Sequence, residues 1–301
     1  MNSPSRLGPI LLHAILFVLL AVFVLPFFWV LETAFKPDTQ IITLPPKWIP
    51  VAMSPETYAA REKAGELGPV EARYGFAPTL FHFRRVFAEY PFFRWVWNTL
   101  VIVVLSTAGS LISCTMAAYA FARLRWPDRK LIFAILLGTM MLPFQVTLIP
   151  LFVLFKHLGW VDTPLPLIVP AYFGAAFFVF LLRQFFATLP GELLEAARID
   201  GAGEWFILTR IVVPLSKPAM LTVAVFSAMW AWNDFLGPLI YLSSEEQKTL
   251  ALGLQAMVSQ YGTEWGMFMA AATVMILPIL LLFFFAQRYF IEGIALTGLK
   301  G

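Results

Sequence analysis

Between Arg183 and Lys217 the chain carries eight formal charges, Arg183, Glu192, Glu195, Arg198, Asp200, Glu204, Arg210 and Lys217, although only 13% of its residues are charged. The residue types limit the chemistry on offer. No cluster of His, Cys, Asp and Glu has metal-ligand spacing. There is no G-x-x-x-x-G-K-[ST], hence no phosphate-cradling loop, and the chain cannot hydrolyse ATP by that route. Cys114 is the single cysteine, so no intrachain disulfide forms, and its apolar neighbours favour packing over reactivity. What remains is the chemistry of contact. "EAARIDGAGEWFILTRIVVP", residues 195–214, sets Ala196 and Ala197 beside carboxylates, a small smooth surface that another protein can approach closely.

Local rules give this stretch a shape. Pro190 suits the first turn of a helix, where a missing N–H is harmless. Glu192 and Glu195 then sit near its positive N-terminal end, and Glu195 and Arg198 are i,i+3 neighbours. Gly201 follows Asp200 where a left-handed residue stops a helix. A second helical run, 203–213, is expected to end before Pro214. The product is a helix, a sharp glycine turn and a second helix. Physics alone leaves two readings open: an amphipathic hairpin that merely joins its neighbours, or a docking element.

The neighbours are membrane helices. The chain is 60% hydrophobic with a mean hydropathy of +0.79, and a bilayer core of about 30 Å needs roughly 20 apolar residues per helix. Six stretches qualify, at about 10–31, 99–122, 131–155, 164–182, 218–242 and 267–286. The pattern speaks against a β-barrel, whose strands alternate in polarity where these runs are solid. The first run is too long for the apolar core of a signal peptide, and no small-residue cleavage site follows it.

Orientation follows from Lys and Arg in short loops. With the amino terminus inside, Arg6, Arg123, Arg125, Arg129, Lys130, Arg183, Arg198, Arg210, Lys217, Arg288 and Lys300 are cytoplasmic, against Lys156 and Lys248 outside. Both termini and the charged hairpin are therefore expected inside. Residues 36–97 form the one sizeable outside loop, opening with the helix-breaking "LPPKWIP" and closing with "FFRWVWNTL", an interfacial anchor.

Polar groups at membrane depth are few: Gln145, and Asn233 with Asp234. A carboxylate there costs on the order of 2.5–3.5 kcal/mol, so Asp234 either bonds Asn233 or a neighbouring helix end, or meets a substrate. Ser106, Gly109, Ser110, Ser113 and Ala117 form a small-residue stripe, for close packing or a polar path. Pro143, Pro150, Pro166, Pro170, Pro238 and Pro278 predict kinked spans.

The spacing E-A-A, three residues, G, nine residues, I-x-x-P resembles the EAA loop of ABC importer permeases, with Val213 where a leucine is usual. "LPGELLEAARIDGAG", "MLPFQVTLIPLF" (141–152), "DTPLPLIVP" (162–170), "WAWNDFLGPL" (230–239) and "QRYFIEGIALTGLKG" (287–301) resemble the carbohydrate branch, in the format of the second permease of maltose-type systems. The likeness covers nearly all of the chain except about 51–75, an apparent insertion.

The resemblance implies an all-α, polytopic fold: one permease domain over 1–301, six transmembrane helices and a cytoplasmic EAA coupling helix within 186–217. It implies half of an ATP-driven import pathway for sugars in a prokaryotic cell membrane, with no catalysis, cofactor or metal in this chain and no nucleic-acid partner. The implied partners are a second permease, two subunits that bind ATP and Mg, an extracytoplasmic solute-binding protein and surrounding lipid. Glu195, Ala196, Ala197, Asp200, Gly201, Ile211 and Pro214 are the implied docking residues, with Gly298, Lys300 and Gly301 as a tail contact. Gln145, Asn233 and Asp234 are candidates for the substrate path. Glycerol phosphate or another polyol is the alternative cargo; an ion-coupled transporter or a membrane scaffold are rival classes.

Overall fold

A computed structural model describes residues 7–50, 60, 63–64, 80–259 and 262–298. The expected insertion at 51–75 lies almost wholly outside them, as do Lys300 and Gly301. In lipid every backbone N–H and C=O needs a partner within its own segment, so the solid apolar runs fold as helices.

These are α1 (Leu7–Ala34), α2 (Phe81–Glu89), α3 (Phe92–Arg123), α4 (Arg129–Gly138) and α5 (Phe144–His157). After a short helix Leu165–Ile168 and a 3-10 stretch Val169–Phe173 come α6 (Ala176–Thr188), α7 (Gly191–Ile199) and α8 (Glu204–Ile207). The chain closes with α9 (Lys217–Asn233), α10 (Leu236–Tyr241), α11 (Leu250–Ala256) and α12 (Trp265–Gly298). Among the described residues four helices are long and apolar enough to cross a membrane, or up to six if each of two bent pairs is one span.

Of the prolines expected to kink spans, Pro143 stands at a full break, whereas Pro150 and Pro278 lie inside continuous helices; a second break, at Ser216, falls at none of the expected positions. Residues 129–141 and 144–157 meet at 97°, with Leu142 extended because the ring of Pro143 disfavours the helical region for the residue before it. Residues 204–215 and 217–233 meet at 82° across Ser216. The run expected to stop before Pro214 instead passes through it. A π-helical turn, Leu208–Val212, carries the helix into Val213–Leu215, with the Val213 N–H bonded back to the Leu208 carbonyl. A widened turn of this kind lets a helix accommodate a residue that lacks an N–H. Near the end of α9 the break falls at Asp234, four residues before Pro238.

The chain forms two compact units, Met1–Phe92 with Leu254–Leu277, and Phe93–Gly253 with Pro278–Gly301. The first is organised by buried polar contacts. Lys36 is fully buried against Glu32 at 2.6 Å and lies 4.3 Å from the ring of Trp29, while its carbonyl is 2.8 Å from Nε2 of the buried His82. The hydrophobic window of α1 is otherwise wholly exposed within this chain.

The second unit has an apolar core drawn from α3, α6, the hairpin and α9: Cys114, Ala118, Phe178, Leu182, Ile207 and Val223 are among its buried members. The small-residue stripe of α3 is a packing surface. Ser106, Gly109, Ser110 and Ser113 are buried, and the Ser113 hydroxyl donates to the Ala171 carbonyl at 2.9 Å. A β-carbon on Gly109 would stand 2.5 Å from the ring of Tyr172. Gly109→Val should therefore lose about 1–3 kcal/mol by overpacking, measured as a lowered thermal midpoint of the purified protein in detergent.

Candidate docking site

The hairpin is assembled by its turn. Pro190 stands just before α7 as its N-cap, and the helix closes at Asp200 with Gly201 in the left-handed region at φ +84°. The Gly201 N–H bonds the Arg198 carbonyl at 3.0 Å and the Ala202 N–H bonds that of Ala197 at 2.9 Å, the paired closure of a Schellman motif. A β-carbon on Gly201 would meet nothing within 4 Å, so the position asks for conformation and not for space.

Three contacts fasten the hairpin to the rest of its unit. Leu194 is only 2% exposed and joins the core with Ile207, Leu208 and Val212. Arg198 forks onto Glu204, Nε to Oε1 at 2.8 Å and Nη2 to Oε2 at 3.2 Å, and Glu204 in turn accepts from the Tyr119 hydroxyl on α3. Arg123, the last residue of α3, donates from Nε to the Phe186 carbonyl at 2.9 Å and from Nη2 to the Leu189 carbonyl, covering the end of α6 where carbonyls lack helical partners.

The expected Arg198–Glu195 pairing is thus replaced. The Gly201 turn folds Glu204 back to Arg198, where a two-bond fork outcompetes a single i,i+3 contact. That hydrogen bond holds the Arg198 guanidinium above its ordinary pKa, so it stays charged at every pH the protein meets.

The residues implied by the sequence divide into two groups. Glu195, Ala196, Asp200, Gly201 and Pro214 are exposed, whereas Ala197 and Ile211 are half-buried and pack against the core. Leu193 and Ile199 add exposed apolar surface that the sequence reading passed over, Ile199 at 86%. Gly298 is the last residue of α12; Lys300 and Gly301 lie outside the described residues. Among the deep polar groups, Gln145 is exposed on the first turn of α5, and the Asn233 amide donates to the Met229 carbonyl at 2.8 Å. Asp234 accepts from the Gly237 N–H at 3.1 Å, a helix-end bond.

Residues 109–295, which hold the hairpin and both broken helices, match the family described as the binding-protein-dependent transport system inner membrane component. The chain belongs to that family. It is a multi-pass inner-membrane permease of a bacterial ABC importer, a non-catalytic subunit that works with a periplasmic binding protein and ATPase partners. Nucleotide binding is not part of this permease family.

The permease is 37% identical over 210 residues, 70% of its length and 74% of the other's, to the arabinooligosaccharides transport system permease protein AraQ of Bacillus subtilis. It is 31% identical over 287 residues, 95% of each chain, to the sn-glycerol-3-phosphate transport system permease protein UgpE of Brucella suis. Its fold matches a chain of a bacterial ABC transporter involved in the import of the acidic polysaccharide alginate. The TM-score is 0.77 at 21% identity, over 96% of this chain and 99% of that one.

The Arg198–Glu204 pair is more than a third exposed at both ends, so its coupling should be small, about 0.2–1 kcal/mol. A double-mutant cycle of Arg198→Glu, Glu204→Arg and the swap, read by thermal unfolding, should show both single variants destabilised and the swap largely restored.

Proposed function

We propose that this permease forms half of a sugar-conducting pathway beside a second permease subunit, with both termini and the hairpin in the cytoplasm, and that α7 is the segment on which the ATPase acts. The observation that carries the reading is the division of α7 itself. Leu194 is locked into the core while Glu195 and Ala196, its next neighbours, are exposed, so a push on the outer face passes directly to α3, α6 and α9. Lys and Arg crowd the loops on the hairpin's side, which supports the cytoplasmic orientation.

ATPase closure would move α7, and the packed helices would switch as rigid bodies between inward-open and outward-open arrangements. Outside, the binding protein would press on 36–97 and 243–266. Non-helical backbone at membrane depth is tolerated where it is buried in protein or lines a watery cavity. Gln145 follows one break, and Asn233 with Asp234 occupies another, so these breaks are where a solute would meet polar groups.

Sugar as cargo is favoured by the AraQ proteins of two bacteria, 37% and 39% identical, and by spans with no Lys or Arg near their middles to hold an anion. The UgpE likeness along nearly the full chain supports glycerol phosphate as the second reading.

Proteoliposomes containing the whole complex test both parts. Glu195→Lys should cut uptake at least tenfold and uncouple ATP hydrolysis from the binding protein, while membrane insertion stays normal; full uptake by this variant would refute the docking role. A neutral oligosaccharide should stimulate hydrolysis through the binding protein where sn-glycerol-3-phosphate does not.

A further inference from the structure

The hairpin is one wall of a cleft of about 830 Å³, and the opposite wall is the turn joining α3 to α4. From the turn come Arg125, Trp126 and Arg129; from α7 come Glu195 and Arg198. The turn is firmly built. Asp128 takes a left-handed conformation at φ +59°, one that Asp tolerates better than most residues. Arg129 Nη1 donates to the Leu124 carbonyl at 2.7 Å, and the Trp126 indole N–H reaches the Ala120 carbonyl at 3.4 Å. A smaller hollow of about 320 Å³ continues along Arg125, Asp128 and Lys130.

Not all of this positive charge is free. Arg198 is matched by Glu204, and Arg123 is engaged with backbone carbonyls. Arg125 and Lys130 are both exposed and, among the described residues, neither has a hydrogen-bond or ion-pair partner. Asp128 is the sole carboxylate on the turn. Glu195 and Arg125 line the same cleft, so a partner seated on Glu195 has this cationic edge beside it.

We infer that the turn 124–130 is a second contact for the ATPase, receiving an acidic patch of that subunit alongside the docked α7. This rests on the docking reading of α7. Charge complementarity and the shared cleft favour this occupant: a partner already seated on α7 gains from an acidic surface along Arg125 and Lys130 and is repelled by a basic one. A rim contact of this kind speeds encounter and fixes orientation, and salt screens it. Two contacts, one on each wall, also prevent a partner from pivoting about a single short helix.

The test uses the full permease complex in nanodiscs, stripped of its ATPase by high salt, with the purified ATPase subunit titrated back. With Arg125→Glu and Lys130→Glu combined, the dissociation constant at about 50 mM NaCl should rise at least tenfold. It should converge on the wild-type value near about 1 M, where the Debye length is about 3 Å. The thermal midpoint of the permease complex should not move. An unchanged dissociation constant at low salt overturns the inference. So does a loss seen only in nanodiscs containing phosphatidylglycerol and absent in pure phosphatidylcholine, which would make lipid headgroups the true occupants. Glu195→Lys separates the two readings: if it weakens binding while the turn variant does not, docking on α7 stands and this second contact falls. If neither weakens binding, both fall.

Discussion

Leu194 and Glu195 are adjacent in the chain and face opposite media. The leucine belongs to the buried cluster that also holds Phe186, Ile207, Val212 and Ala219, and the glutamate is exposed. Burying a leucine fully is worth about 1.5–3 kcal/mol, more than the surface ion pair beside it contributes. Remove that anchor and α7 becomes a loosely tethered segment. With it, a nine-residue helix is a rigid outgrowth of the transmembrane core. The Gly201 closure and the Arg198–Glu204–Tyr119 chain then set the angle at which it projects.

The same core relies on helices that are broken where regular ones would have sufficed. Each break has a local cause that satisfies the backbone: an extended residue before Pro143, a carboxylate cap at Gly237, a serine N–H shared between the Val212 and Val213 carbonyls. Polar side chains cluster at these points. Asp234 shows how one group can serve structure first, since the helix-end bond that is one of its expected roles is present.

Much of the hairpin was legible because its determinants are local. Gly201 has to be left-handed at that position, and the EAA spacing places it one residue past Asp200. The family likewise could be read from motifs strung along the chain. The fastenings could not be. Tyr119 meets Glu204 across 85 positions, and Arg123 reaches Phe186 across 63, distances at which no periodicity reports a contact. Arg123 counted only as a positive charge at a span end, although its main work is to complete another helix. The partner of Arg198 was misjudged for a related reason: i,i+3 spacing is visible in a string of letters, and a return through a glycine turn is not.

The π turn at 208–212 gives the spacing between Gly201 and Ile211 a physical meaning. Each residue in an α-helix advances the angle by about 100°, so residues five apart, such as Ile207 and Val212, would ordinarily diverge. Both are fully buried, because the widened turn brings them back into phase. The count of residues here is thus an angular setting: one more or one fewer would turn the faces of Ile207 and Val212 apart. A substitution in this segment alters one side chain, whereas a change of length resets the angle of everything beyond it.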